Sequence, residues 1–184
     1  MMSHEEALQL LKEKVKNKNL IKHMYAVEAV MGSLARHFGE DETSWRLAGL
    51  LHDLDYDLTV NEPEKHSLLG AEMLKKAGLP QEIIAAVKCH NDLHGLARKS
   101  LMDKALYAVD PLTGLIVAAA LIKPEKKLAA VDVPFLLNRF REKSFARGAR
   151  REVISSCTEM GLTLEEFMEI ALKAMQEIAV ELGL

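Results

Sequence analysis

Apolar residues recur along this chain at spacings of three and four, and no stretch shows sustained two-residue alternation. The pattern predicts helices nearly throughout. Ser3 with Glu6 forms a capping-box start for a helix reaching about Lys18. Asn19 can cap a second, carrying Met24, Val27, Met31, Leu34 and Phe38 and stopped by Gly39. Asp41 or Thr43 opens a third, with Trp45, Ala48 and Leu51 on one face. A fourth is expected from about Pro63 to Gly78, and a fifth from Pro80 to about Cys89. A sixth covers about Lys99 to Val109, and Pro111 opens a buried seventh to Leu121. Pro134 opens an eighth, through Phe140, and the pair Thr163 and Glu166 opens the last. The expected fold class is an all-α helical bundle, one domain over residues 1–184, with a core at about 20–122 and a C-terminal helical extension at about 132–184.

Composition narrows the function classes. At 184 residues, 49% hydrophobic and 28% charged, the chain can bury a real core and is neither disordered nor fibrous. Its net charge of -3 argues against a protein that coats nucleic acid. Two cysteines, Cys89 and Cys157, make no disulfide framework. The acidic start, Met1 to Glu6, has no apolar stretch of the signal-peptide kind. The longest apolar run, Leu115 to Ile122, falls short of the ~20 residues a membrane span needs. The expectation is a cytoplasmic protein with no membrane partner, and a homo-oligomer is open.

Seven histidines are what composition leaves unexplained. His52-Asp53 stands where an apolar helix runs into an acidic loop, in Leu50-Leu51-His52-Asp53-Leu54-Asp55. A carboxylate and an imidazole are costly to bury together unless they are paired or bind a cation. Neutral imidazole with carboxylate suits divalent metals such as Zn, Mn, Fe or Ni. His23 lies in the first turn of the second helix, His66 opens the fourth, His90 ends the fifth, and Asp110 stands in an apolar stretch. Each also has a structural reading: a first-turn surface residue, a helix-end charge, or an N-cap before Pro111. Together they match the way helical bundles build metal sites from facing helices.

The order His, His-Asp, His, His, Asp resembles the HD-domain superfamily of metal-dependent phosphohydrolases. Ala48-Gly49-Leu50-Leu51-His52-Asp53 is similar to that family's apolar helix running into its His-Asp pair. His66-Ser67-Leu68-Leu69-Gly70-Ala71-Glu72 is similar to the helix that follows. The resemblance implies that His23, His52, Asp53 and Asp110 hold one metal, with Asp53 bridging to a second on His66 and His90. One or two divalent ions are implied, with Mn, Fe, Ni, Zn, Co and Mg all open, and a metal-activated water would attack phosphorus. Two departures stand out. Asp55 and Tyr56 occupy places where many relatives carry Gly and Lys, and Cys89 precedes His90 where many have a second histidine. A Cys89 thiolate could itself ligate.

Asp55 and Asp57 are candidate general bases, against a reading as a solvated acidic turn. Lys104 and Arg147 are candidate phosphate contacts. The basic run from Arg139 to Arg151 reads as a solvated helix face or as a receptor for phosphate. His4, His37 and His94 read as ordinary residues. The function implied is hydrolysis of a phosphoester of a nucleotide or another small phosphorylated substrate. The alternative is a metal- or ligand-binding regulatory module without hydrolysis.

Overall fold

Side-chain caps set most of the helix starts. The computed structural model describes residues 2–184. Helix α1 (His4–Lys14) opens with the reciprocal Ser3–Glu6 capping box. It ends four residues earlier than expected, because Val15 turns extended and donates its N–H to Leu11. Asn17, rather than Asn19, caps α2 (Lys18–Phe38) by accepting from the N–H groups of Asn19 and Leu20. Gly39, at φ 72°, supplies the left-handed residue that ends α2. Asp41 caps α3 (Glu42–Leu51) through the Ser44 N–H.

After α3 the chain is irregular through Asp53, and α4 (Tyr56–Thr59) is a single turn. Helix α5 (Leu68–Lys76) starts later than Pro63, behind a Ser67 held at φ 69°. Helix α6 (Gln81–Cys89) follows Pro80, and a short 3-10 turn covers Asp92–His94.

The largest departure from the sequence pattern is α7 (Leu101–Leu121). The two helices expected on either side of Asp110-Pro111 are one continuous helix of 21 residues. Proline inside a helix costs a backbone hydrogen bond, about 3 kcal/mol. Leu106, Val109, Leu112, Leu115, Ile116 and Ala119 are all fully buried on this helix, and that burial outweighs the loss. Joined in this way, Leu101–Leu121 is long and apolar enough to cross a membrane by length and composition. It is instead the central helix of the bundle, packed by α2, α3, α6, α8 (Val133–Arg141), α9 (Arg151–Ser155) and α10 (Leu164–Glu177).

Helix α11 (Ala179–Leu182) closes against α2. Among the described residues there is no strand. One continuous cluster of buried apolar side chains runs from Ala7 to Leu182, so the C-terminal helices share the core of the preceding bundle. Gly49 shows how tightly α3 meets α2: a Cβ there would lie 2.9 Å from the Glu28 backbone. That approach lodges the end of α3, with His52, inside the bundle.

Candidate metal centre

Four histidines arrive at one point from four elements. Each is held by its Nδ1 and turns its Nε2 inward. His52, at the end of α3, bonds the Gly49 carbonyl at 2.8 Å. His90, at the end of α6, bonds the Val87 carbonyl at 2.6 Å. Carbonyls only accept, so both Nδ1 atoms carry a proton, and each Nε2 presents a lone pair when its ring is neutral. His66 Nδ1 donates to Asp55 Oδ1 at 2.9 Å. On α7, the Thr113 hydroxyl donates to the Asp110 carbonyl at 2.9 Å and accepts from His23 Nδ1 at 3.2 Å.

The inward atoms fall into two groups. His23 Nε2 lies 3.2 Å from His52 Nε2 and 3.1 Å from Asp110 Oδ1. Asp53 Oδ2 stands 3.5 Å from His52 Nε2 and 3.8 Å from His23 Nε2. The other oxygen, Asp53 Oδ1, lies 3.4 Å from both His66 Nε2 and His90 Nε2. Asp53 thus sits between the groups with one oxygen toward each. Donor atoms of His23, His52 and Asp110, and of His52, Asp53 and His90, lie close enough together to hold an ion.

The donor set fits a divalent metal. Two neutral imidazole lone pairs 3.2 Å apart repel, and only a cation or a proton between them removes the repulsion. His90 Nε2 is fully buried, with no well-formed hydrogen bond. An orphaned acceptor in a polar centre is costly unless something charged meets it. With protons as the only cations, the carboxylates carry the balance. Burial opposes the charged form of His90, yet the Asp53 carboxylate beside it pushes its pKa up to about 9. Burial likewise opposes charge on His23, and Asp110 outweighs it, raising His23. Burial dominates at His52 and lowers it. Burial alone would raise Asp53 and Asp110, but the neighbouring imidazoles hold both below the usual carboxylate range.

The structure therefore brings His23, His52, Asp53, His66, His90 and Asp110 together. Asp55 and Asp57, the candidate general bases, are both engaged away from these donor atoms. Asp55 is fully buried; one oxygen takes His66 and the other accepts the Ser67 and Gly70 N–H groups at 2.8 Å each. It positions His66. Asp57 accepts from the backbone N–H of Lys16, at 2.9 Å, and of Asn17, which ties α4 to the chain between α1 and α2.

Cys89 also stays out of the centre. Burial pushes its thiol up to about 11, and it donates toward the Ala86 carbonyl. Lys104 lies about 9 Å of helix rise and about 120° around α7 from Asp110, and it lines none of the cavities beside the centre. Arg147 lies beside the centre. With His23, Asp110 and Gly114 it lines a cavity of about 360 Å³. The mouth of the centre itself is a cavity of about 420 Å³, bounded by Leu20, Tyr56, His66 and the two aspartates, Asp53 and Asp110.

The basic run is partly structural, although Arg141, Lys143, Arg147 and Arg150 are exposed. The Arg151 guanidinium bonds six backbone carbonyls, those of Arg139, Phe140, Glu142, Phe145, Ala146 and Ala149. Arg150 pairs with Asp92, and Arg139 with Glu142. These arginines shape the loop that presents Arg147. Among the described residues Arg147 has no carboxylate partner.

His94 Nε2 donates to the His66 carbonyl at 2.7 Å, and His4 pairs with Glu28. The anchors Thr113 and Asp55 escaped the sequence reading in those roles. Thr113 follows Asp110 by three on one helix face, a spacing that could have flagged it.

A buried helix-bundle centre of four histidines and two aspartates defines a metal-site class of protein, and comparison with known proteins makes it specific. The family model described as "HD domain" matches residues 20–123, and the chain belongs to that family. Ribonuclease Y of Desulfotalea psychrophila is 30% identical over 140 residues, covering 73% of this chain and 26% of that protein. Ribonuclease Y of Nitratiruptor sp. is 32% identical over 139 residues, again 73% and 26%. Ribonuclease Y of Oleidesulfovibrio alaskensis is 31% identical over 98 residues, 53% and 18%. The chain thus spans about a quarter or less of the length of these relatives. No solved structure matches it.

Proposed function

We propose that this protein is a metal-dependent phosphohydrolase that cleaves a phosphoester of a nucleotide or another small phosphorylated metabolite. One observation carries the reading: four imidazoles fixed through Nδ1 turn four Nε2 lone pairs onto the two oxygens of Asp53 and onto Asp110. His23, His52, Asp53 and Asp110 would hold one ion. His66 and His90, with the other Asp53 oxygen, would hold a second. A divalent metal there supplies a Lewis acid for the phosphoryl oxygen and lowers the pKa of water at neutral pH.

The chain's own residues do the rest. Asp55 and Thr113 keep the rings of His66 and His23 oriented, as outer partners of ligating histidines do. Arg147 offers a guanidinium to phosphoryl oxygens at the edge of the centre, where developing charge needs a fixed counter-charge. Arg139, Arg150 and Arg151 are already engaged with Glu142, Asp92 and loop carbonyls, which favours a compact substrate over a polymer.

A second reading has its own support: the similarity to proteins named Ribonuclease Y favours an RNA phosphodiester. One panel decides. The purified protein is assayed with Mn, Ni, Co, Zn, Fe or Mg against nucleoside monophosphates, other phosphorylated metabolites and RNA oligonucleotides. Release of phosphate from the small esters supports the first reading, and RNA cleavage alone replaces it with the second. No turnover with any metal, with Asp53→Ala altering only metal content, makes the chain a metal-binding regulatory module.

A further inference from the structure

The centre does not stand in isolation. His23 and Gly114 belong both to the cavity that holds Arg147 and to a further cavity of about 450 Å³ between α2, α7 and α11. That further cavity is mainly apolar, walled by Ala26, Val117, Leu121, Leu182 and Leu184, with Asn19, Lys22 and Thr113 as its polar groups. Leu121 is 49% exposed there, an open apolar surface at the edge of a charged centre. Its volume falls within the roughly 300–1,000 Å³ range of small-molecule sites.

Gly114 is the second, independent sign. It lies inside the 21-residue α7, where glycine is among the least favourable residues. At Gly49 the reason for glycine is visible in the backbone it touches. At Gly114 a Cβ would meet nothing within 4 Å, and the residue has helical φ. Neither packing nor backbone conformation explains it. Gly114 is exposed on α7 and lines both the Arg147 cavity and the apolar one, so the surface between them is open at this position.

We propose that the apolar cavity between α2, α7 and α11 is a binding site for the ring-bearing body of a phosphoester substrate, of nucleoside size, and that Gly114 keeps the surface from that site to the metal centre clear. The phosphoryl end would lie by His23, Asp110 and Arg147. A flat heterocyclic body would cover Val117 and Leu121, with the Lys22 ammonium and the Asn19 amide at the rim as donors to its carbonyl or ring-nitrogen acceptors. Short polyol phosphates would leave the cavity unfilled.

The proposal rests on the hydrolase reading for the direction of the substrate, and its test is separable from that reading. Calorimetry on metal-free protein measures binding of free purine and pyrimidine nucleosides, which lack the phosphate and need no metal. The expected result is saturable binding by the natural chain and at least a tenfold weaker Kd in Gly114→Leu. Circular dichroism checks that the variant folds; if it does not, Val117→Trp narrows the same cavity from its wall and takes its place. Absence of nucleoside binding by the natural chain, or equal binding by the folded variant, overturns the proposal whatever the enzyme hydrolyses. Variant-sensitive nucleoside binding with no phosphoester turnover supports the site and sinks the hydrolase reading instead.

Discussion

Two clusters of charged side chains sit close together in this bundle, and they are built on opposite plans. In one, Arg150 pairs with Asp92, Tyr107 donates to Asp92 at 2.9 Å, Arg98 stacks on the Tyr107 ring at 3.6 Å, and Arg151 caps six carbonyls. Most of the donors there face acceptors within the cluster, which holds the loop at 142–150 in place. In the other, the donors of four histidines point outward to carbonyls, a carboxylate and a hydroxyl, which leaves the acceptors facing one another. A largely self-satisfied cluster holds structure together. One that gathers acceptors is unfinished without a cation, and that asymmetry separates scaffold from site more sharply than charge count does.

The contrast can be broken by substitution. Asp53→Ala removes the group shared by both sets of donors, and bound metal measured by elemental analysis is expected to fall by more than about 100-fold in affinity. Retention of two ions by that variant would end the shared-carboxylate account. Asp55→Asn keeps the volume but weakens the hold on His66; titration with metal should show a loss of roughly 10–100-fold. Arg151→Met attacks the arginine cluster instead. It should cost about 2 kcal/mol in chemical denaturation, the scale of hydrogen bonds to a charged group, with metal affinity unchanged. A variant that loses metal and stability alike would erase the distinction between the two plans.

pH sharpens the comparison. In metal-free protein His90 titrates near 9, against about 6.5 for an unfolded histidine. A raised histidine stabilises the fold fully below about pH 6.5, and this contribution is lost as pH rises through 9. Melting temperature of the metal-free protein should therefore drop between about pH 6.5 and 9, while metal affinity climbs over the same window as protons leave the ligands. A flat melting profile would count against the Asp53–His90 coupling. The smallest expected effect is at Thr113→Val, which deprives His23 Nδ1 of its acceptor; a few-fold loss in metal affinity is the predicted reading.

Much of this was legible in the chain. Three-and-four spacing marked the helices, and short polar caps marked their starts at Ser3, Asp41 and Thr163, because capping is local chemistry. His52-Asp53 and the other histidines stood out as polar residues at the ends of apolar runs. What was not legible is instructive. Asp55 read as an acid in a turn, because nothing in the sequence shows that the Ser67 and Gly70 amides would close on its carboxylate from twelve and fifteen residues away. Asp110-Pro111 read as a helix boundary, because local preference favours one there. Arg151 read as part of a helix face, because its acceptors are carbonyls, which every residue carries.

The sequence by itself determined that the chain would be helical, where most helices would begin, and which side chains had the chemistry to meet a metal. Those are matters of near neighbours and residue type. Tertiary structure decided the rest: that α7 runs unbroken through Pro111, that Asp55 positions while Asp53 is shared, and that Gly114 faces open space. Each of those depends on which distant surfaces are brought together, and burial of the α7 face against the bundle outweighs the local preference to stop.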